Sequence, residues 1–332
     1  MFVNLWVTTN CNFSCKYCYE GENKKNDILQ KETVDNLILH IKNELSENED
    51  IIVEFHGGEP LLNFELIKYT IDNINATFPN NKKYYGITTN AYYLKGDYLE
   101  FISEHMNFNL SISIDGMPEI NDRYRVTHNG EGTFSKIYDN VKAVLMRRPD
   151  SMARMTVTSN TVQYLYQNSL FLEEMGFEIV GAALDYYDER WNEEKIEILY
   201  KEMVKLKNHE KMKKKARFPI TNFYCKKMGI CGFGKKYFTL YPNGDIYPCT
   251  YCVGKEEFIL GNINKTGFDM EQIHKYQSIN MKTNTLCIGC KHLEHCVGNR
   301  CKFWNYALTG DYLLPSGVAC AMENLKQRLS IL

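Results

Sequence analysis

Along the first two hundred positions, apolar residues recur in two alternating patterns. Short β-branched and aromatic runs at residues 2–9, 51–55, 84–89, 110–114, 154–158 and 179–184 read as strands. Between them the spacing turns helical: Val34, Leu37, Ile38, Ile41 and Leu45 share one face, and residues 66–74 repeat the pattern. Six strand–helix units in regular alternation predict a parallel sheet. Six units make an open partial barrel, in which chemistry sits at the C-terminal ends of the strands. The expected fold class is α/β, with this partial barrel over residues 1–204.

The unusual residues fall at those strand ends. The first strand runs into Cys11, Cys15 and Cys18, a Cys-x₃-Cys-x₂-Cys loop. That spacing fits one iron–sulfur cube held by three thiolates, with the fourth iron open; a zinc knuckle is the rival. After strand two comes Gly57-Gly58-Glu59-Pro60, where a glycine pair lets backbone approach a ligand closely; a plain turn before a helix is the alternative. Thr89-Asn90 follows strand three, as a ligand contact or an N-cap. Ser113-Ile114-Asp115-Gly116 ends strand four, with Arg125 beyond it, and Leu184 ends strand six.

Composition narrows the setting. A net charge of −2 over 332 residues argues against nucleic acid or an anionic membrane as the main partner. No apolar run reaches the roughly 20 residues of a membrane span, and no signal peptide is visible, so a cytoplasmic protein is expected. Twelve cysteines in a reducing compartment point to metal rather than disulfides. Three lie before residue 20, nine lie after residue 224, and none lies between. The basic run at 205–217 reads as a solvated helix end, or as a landing strip for an acidic leader peptide. It marks a boundary, with 205–224 as linker and 225–332 as a cysteine-rich domain.

The cysteine loop, with Tyr17 before its third cysteine, and the Gly-Gly-Glu-Pro turn together resemble the radical S-adenosylmethionine (SAM) enzymes, whose fold is a partial TIM-type (β/α)6 barrel. The resemblance implies that Gly57, Gly58 and Glu59 meet the SAM ammonium and that Thr89 and Asn90 meet the ribose. It also implies that Ser113 and Arg125 hold the carboxylate and that Leu184 packs on adenine. Asn121 stands where the related peptide-modifying pattern has histidine. The late array, Cys231-x₁₂-Gly244-x₄-Cys249 and Cys287-x₂-Cys290-x₅-Cys296-x₄-Cys301, is similar to the SPASM extension of radical SAM peptide maturases. The family's last spacing is usually three residues rather than four. By that resemblance Cys225, Cys231, Cys249 and Cys301 ligate one auxiliary four-iron cluster, and Cys287, Cys290, Cys296 and Cys320 a second. With the SAM-binding cluster this makes three [4Fe-4S] clusters. Cys252 is left over, as a buried small hydrophobe or as a hydrogen-atom donor.

The implied activity is oxidative crosslinking of a ribosomally made peptide with a leader, forming a thioether or a carbon–carbon bond. Electrons would come from an external one-electron donor such as flavodoxin or ferredoxin. The alternatives are formylglycine formation in a sulfatase, peptide epimerisation through Cys252, and a non-catalytic iron–sulfur carrier or zinc protein. Thr250, where sulfatase-maturing relatives are expected to carry a catalytic aspartate, counts against the first. Only ten residues precede Cys11, so an N-terminal peptide-recognition domain is not expected.

Overall fold

A computed structural model describes residues 1–20, 26–213, 216–222 and 229–331. In chain order the first part contains β1 (Phe2–Thr8), α1 (Lys31–Glu44), β2 (Ile51–Gly57), α2 (Phe64–Thr77), β3 (Lys83–Thr89), α3 (Gly96–His105) and β4 (Asn109–Ser113). It continues with α4 (Pro118–Tyr124), α5 (Phe134–Arg147), β5 (Met152–Val157), α6 (Leu165–Met175), β6 (Ile179–Leu184) and α7 (Glu193–Lys213). All six expected strands are present, and each pairs in parallel with the next.

Alternation along each strand explains both the packing and the site. On β2, Ile51, Val53 and Phe55 are buried toward the helices, while Glu54 and His56 lie on the opposite, inward face. On β5, Ala153, Met155 and Val157 are buried and Arg154 stays exposed. The outer face of the sheet is therefore the core, and the inner face carries polar groups.

The sheet does not stop at six strands. β7 (Tyr237–Leu240) pairs in parallel with β1, and β8 (Ile246–Tyr247) pairs antiparallel with β7. The order is β6-β5-β4-β3-β2-β1-β7-β8, so the cysteine-rich region covers the edge that β1 would otherwise expose. Residues 205–213 continue α7, and Arg217 then bridges to Ile179 on the outer side of β6. Ala216, Phe218 and Ile220 are buried there, so this stretch packs on the barrel instead of spanning freely. The C-terminal region adds α8 (Met270–Asn280), α9 (Val297–Arg300), α10 (Lys302–Thr309) and α11 (Gly317–Ser330). The edge of Trp304 on α10 meets the ring of Tyr186, just past β6, at 4.8 Å between centroids, which closes this region against the barrel mouth. Among the described residues no helix is long and apolar enough to cross a membrane.

Candidate active site

The cysteine loop leaves the end of β1 and is tied down by backbone. Ser14 N–H donates to the Val126 carbonyl at 2.8 Å and Lys16 N–H to the Tyr124 carbonyl at 2.9 Å. Inside the loop Cys18 N–H donates to the Cys15 carbonyl at 3.0 Å. Cys11, Cys15 and Cys18 are partly exposed thiols. Three thiols on one anchored turn at a strand's C-terminal end make a donor set suited to a soft metal cluster.

The Gly57-Gly58 turn holds the start of that loop. Gly58 N–H donates to the Thr8 carbonyl at 3.0 Å and Glu59 N–H to the Asn10 carbonyl at 2.8 Å. Gly57 has φ +140°, and a Cβ there would lie 2.1 Å from the Thr8 carbonyl oxygen. A Cβ on Gly58 would lie 2.4 Å from the Asn10 carbonyl oxygen. Both contacts are with backbone, so only glycine fits. An ammonium only donates, so the backbone groups of this turn that could receive it are its carbonyl oxygens.

Glu59 faces away from solvent. Its carboxylate is 1% exposed and accepts from Thr89 Oγ1 at 2.6 Å, Asn90 N–H at 2.8 Å and Leu61 N–H at 3.1 Å. Burial pushes its pKa up to about 7, against the pull of those three hydrogen bonds. Glu59, Thr89 and Asn90 thus form one knot between the ends of β2 and β3. Asn90 Nδ2 extends it, donating to Asn12 Oδ1 at 2.8 Å beside Cys11.

At β4 the structure separates two arginines. Arg125 is buried, donating from Nη2 to Asp115 Oδ1 at 2.9 Å and to the Arg154 carbonyl at 3.2 Å. Its guanidinium lies 5.4 Å from the centroid of the Tyr17 ring, and the Tyr17 hydroxyl donates to the other Asp115 oxygen. Tyr17, Asp115 and Arg125 are therefore a clamp on the cysteine loop. Arg125 Nε remains buried without a partner among the described residues. Arg154 is different: it is exposed and sits opposite Ser113 in the β4–β5 register. Both side chains thus point to the inner face. Leu184, at the end of β6, is buried with 6% exposure.

Sequence reasoning missed the rest of the mouth. His56 stacks on Trp6 at 5.5 Å, and its Nε2 lies 3.9 Å from Glu54 Oε2. Asn109 Nδ2 donates to Glu54 Oε1 at 2.7 Å. Burial raises the Glu54 carboxyl, but His56, Asn109 and Arg154 together hold it below its ordinary value. Tyr19 and Tyr251 are 60% and 46% exposed. Burial nonetheless pushes the Tyr251 hydroxyl up to about 12, with Cys301 and Cys249 adding and Arg154 opposing. Tyr251 thus lies exposed between Arg154 on the inner face and the Cys249 and Cys301 thiols. The available signal was period-two alternation, which places Glu54, His56 and Arg154 inward on their strands.

The late thiols fall into two groups. Burial pushes Cys301 up to about 12, with Cys249 and then Cys231 contributing, so these three are neighbours. Burial likewise raises Cys320, followed by Cys296, Cys287 and Cys290. Cys287, Cys290, Cys296 and Cys320 are thus neighbours as well, and Cys225 lies outside the described residues. Cys252 is fully buried, with its sulfur 3.8 Å from that of Cys249. A hydrogen-atom donor has to touch substrate, so this burial counts against that role. Among the described residues no three His, Cys, Asp or Glu side chains are gathered as a single-ion site.

Comparison with known proteins agrees with this geometry. Residues 7–165 match the model of the radical SAM superfamily, and residues 231–296 match that of an iron–sulfur cluster-binding domain, SPASM. A cysteine-type anaerobic sulfatase-maturating enzyme of Clostridium novyi is 29% identical over 187 residues, covering 52% of this chain and 47% of that protein. The radical SAM cyclopropyl synthase TigE of Paramaledivibacter caminithermalis is 22% identical over 324 residues, covering 89% and 66%. The matched stretches thus span about half to two thirds of these curated relatives. The solved structure of native anSMEcpe with bound AdoMet superposes with a TM-score of 0.83 at 19% identity, covering 99% of this chain and 96% of that one. The partial barrel, its cysteine loop and the thiol-rich domain closing its mouth place the chain in the radical SAM superfamily, as a member with a SPASM domain, which implies SAM and iron–sulfur clusters as its cofactors.

Proposed function

We propose that this chain is a radical SAM maturase that installs an oxidative crosslink, a thioether or a carbon–carbon bond, in a ribosomally made peptide. The residues present fit the cofactors. Gly57 and Gly58 let the end of β2 lie directly on the Thr8 and Asn10 carbonyls that lead into the cysteine loop, and Arg125 Nε is a buried donor with no partner among the described residues. Cys11, Cys15 and Cys18 would hold the SAM-binding cluster. Ser113 and Arg154, with the unspent donor of Arg125, would hold the carboxylate of SAM, a group that guanidinium planes recognise well. The Glu59–Thr89–Asn90 knot would fix the ribose side, and Leu184 would give adenine an apolar surface. Cys225, Cys231, Cys249 and Cys301 would hold one auxiliary [4Fe-4S] cluster, and Cys287, Cys290, Cys296 and Cys320 the other.

When bound, SAM and its cluster supply a 5′-deoxyadenosyl radical able to break an unactivated C–H bond. The chain's own part is to orient the peptide and exclude water. The peptide would lie against the exposed side chains of Tyr19, Tyr251 and Arg154, and of Tyr187 just past β6. The observation that carries this reading is that the exposed rings of Tyr19 and Tyr251 lie next to each other, the first beside Cys18 and the second beside Cys249 and Cys301. The cluster that Cys249 and Cys301 would hold could accept the surplus electron, and an external one-electron protein would start each turnover.

A second reading, formylglycine formation, is favoured by the likeness to sulfatase-maturating enzymes. Thr250 offers no carboxylate beside Cys249 to act as base. The test is anaerobic incubation of the reconstituted protein with SAM, dithionite and two peptides: the short one encoded beside its gene, and a sulfatase-type Cys peptide. Loss of two hydrogens with a new internal link in the first supports crosslinking. Conversion of the Cys peptide to an aldehyde overturns it in favour of the second reading. Unchanged mass in light water with a gain of about one mass unit in heavy water means epimerisation and overturns crosslinking.

A further inference from the structure

Cys252 is the one late thiol that neither ligand set uses, and its surroundings define a narrow task. It closes the 3₁₀ turn Thr250–Cys252, its N–H donating to the Cys249 carbonyl at 3.1 Å. The turn brings the two sulfurs to 3.8 Å, within reach of an S–H···S hydrogen bond. No part of Cys252 is open to solvent. Tyr276 and Tyr312 lie near enough for their hydroxyls to respond to Cys252, and they pack with Phe258 and Phe303 into an aromatic wall. Water is excluded, so the Cys249 sulfur is the acceptor at hand. A cysteine thiol carries one S–H to donate, and the Cys249 sulfur lies within its reach.

We propose that Cys252 is a positioning residue that donates its S–H to the Cys249 sulfur and so raises the reduction potential of the auxiliary cluster that Cys249 holds. This rests on the ligand role given to Cys249 above. A four-iron cluster gains one negative charge on reduction, and part of that charge falls on the ligand sulfurs. A donor fixed at one sulfur stabilises the reduced form more than the oxidised form, and hydrogen bonds to the sulfurs are among the known controls of potential. The low local dielectric strengthens the effect. The proton stays on Cys252 throughout; only the electron moves, and the cluster is the group reduced. An acceptor tuned upward takes an electron from a substrate radical more readily.

The experiment uses the full chain with Cys11, Cys15 and Cys18 all changed to Ala, reconstituted anaerobically so that only the auxiliary clusters report. Iron content and a dithionite titration followed by electron paramagnetic resonance are compared for that background, Cys252→Ala and Cys252→Ser. The expected result is unchanged iron in all three. In Cys252→Ala one of the two clusters should become about tenfold harder to reduce, ~59 mV for one electron. Cys252→Ser, which keeps a donor, should recover most of that shift. An unchanged potential in Cys252→Ala overturns the proposal, as does an equal shift in Ala and Ser. Loss of iron in Cys252→Ala would make Cys252 a ligand and overturn it as well. Should the Ala variant not fold, electron–nuclear double resonance on the Cys252-containing protein in light and heavy water decides. An exchangeable proton coupled to a cluster supports the hydrogen bond, and its absence refutes it. Cys249→Ala separates the premises: full iron there means that the ligand assignment has failed, not the tuning.

Discussion

Replacing Arg125 by Ala should damage the cofactor-free protein, not only its SAM affinity. The guanidinium pairs with Asp115 at 2.9 Å, with side chains 7% and 3% exposed. The same carboxylate also accepts from Thr156 N–H at 2.9 Å and from the Tyr17 hydroxyl. Removing the cation leaves Asp115 charged, buried and unneutralised, and breaking such a pair costs about 3–5 kcal/mol. At about 2.1 cal/mol/K per residue over 332 residues, the unfolding entropy is about 0.7 kcal/mol/K, so Tm should fall by about 4–7 °C. Adding Asp115→Asn to Arg125→Ala should restore part of the loss, because the stranded charge is gone. The coupling energy should exceed about 1 kcal/mol. The assay is thermal unfolding of the four cofactor-free proteins, followed by circular dichroism. Additive effects, or an Arg125→Ala Tm within a degree of wild type, would refute the clamp and leave Arg125 as a ligand contact alone.

Other consequences can be checked in parallel. Arg154→Gln should weaken SAM binding by about 1.5–3 kcal/mol, the range for a charge-assisted hydrogen bond, while Tm stays near wild type; equilibrium binding at unchanged affinity would remove Arg154 from the site. Glu59 has a pKa raised to about 7 in the folded chain, so its contribution is complete below the unfolded value near 4.5 and is lost as pH rises through 7. Glu59→Gln should therefore flatten the fall in stability between about pH 4.5 and 7, and denaturant titrations showing the wild-type slope unchanged would contradict this. Gly58→Ala should fold poorly or lose iron from the first cluster, because its methyl group would press on the Thr9 and Asn10 carbonyls; full iron with wild-type SAM cleavage would show the turn to be tolerant. Changing Cys11, Cys15 and Cys18 together to Ala should leave about eight irons and abolish deoxyadenosine formation. Iron equal to wild type would sink the assignment.

The six parallel strands were legible because each is a compact apolar run between helical periods. β7 and β8 were not: the first has four residues and the second two, and their pairing depends on β1, more than two hundred residues away. Cysteine spacing carried the site furthest, since thiols are scarce and their separations constrain a cluster directly. The role of Arg125 was only half visible, because one motif holds both the arginine and the aspartate that engages it. Nothing local says that Asp115 turns toward Tyr17 and not toward a ligand. The inward row of Glu54, His56 and Arg154 was written in the alternation, but alternation names a face without saying whether that face is dry. The run at 205–217 looked solvated by charge alone, yet His209 is buried against Glu173 at 2.6 Å and Ala216 N–H donates to the same carboxylate.

The pairing of β1 with β7 bears on how the protein is made. Phe2 to Leu5 leave the ribosome well over two hundred residues ahead of their partners Tyr237 to Leu240, which emerge only after β1 to β6 have been synthesised. Until then the strand that leads into the first three cysteines keeps one edge unpaired. A nascent chain in that state has a surface ready to pair with a neighbour, and contacts this distant in sequence form slowly. Installing iron on the first loop during synthesis would cover that vulnerable edge with nothing. Waiting for β7 would let the cluster enter a loop whose supporting strand is already held on both sides. Expression conditions that prolong the interval before β7 pairs should therefore favour aggregates over soluble protein.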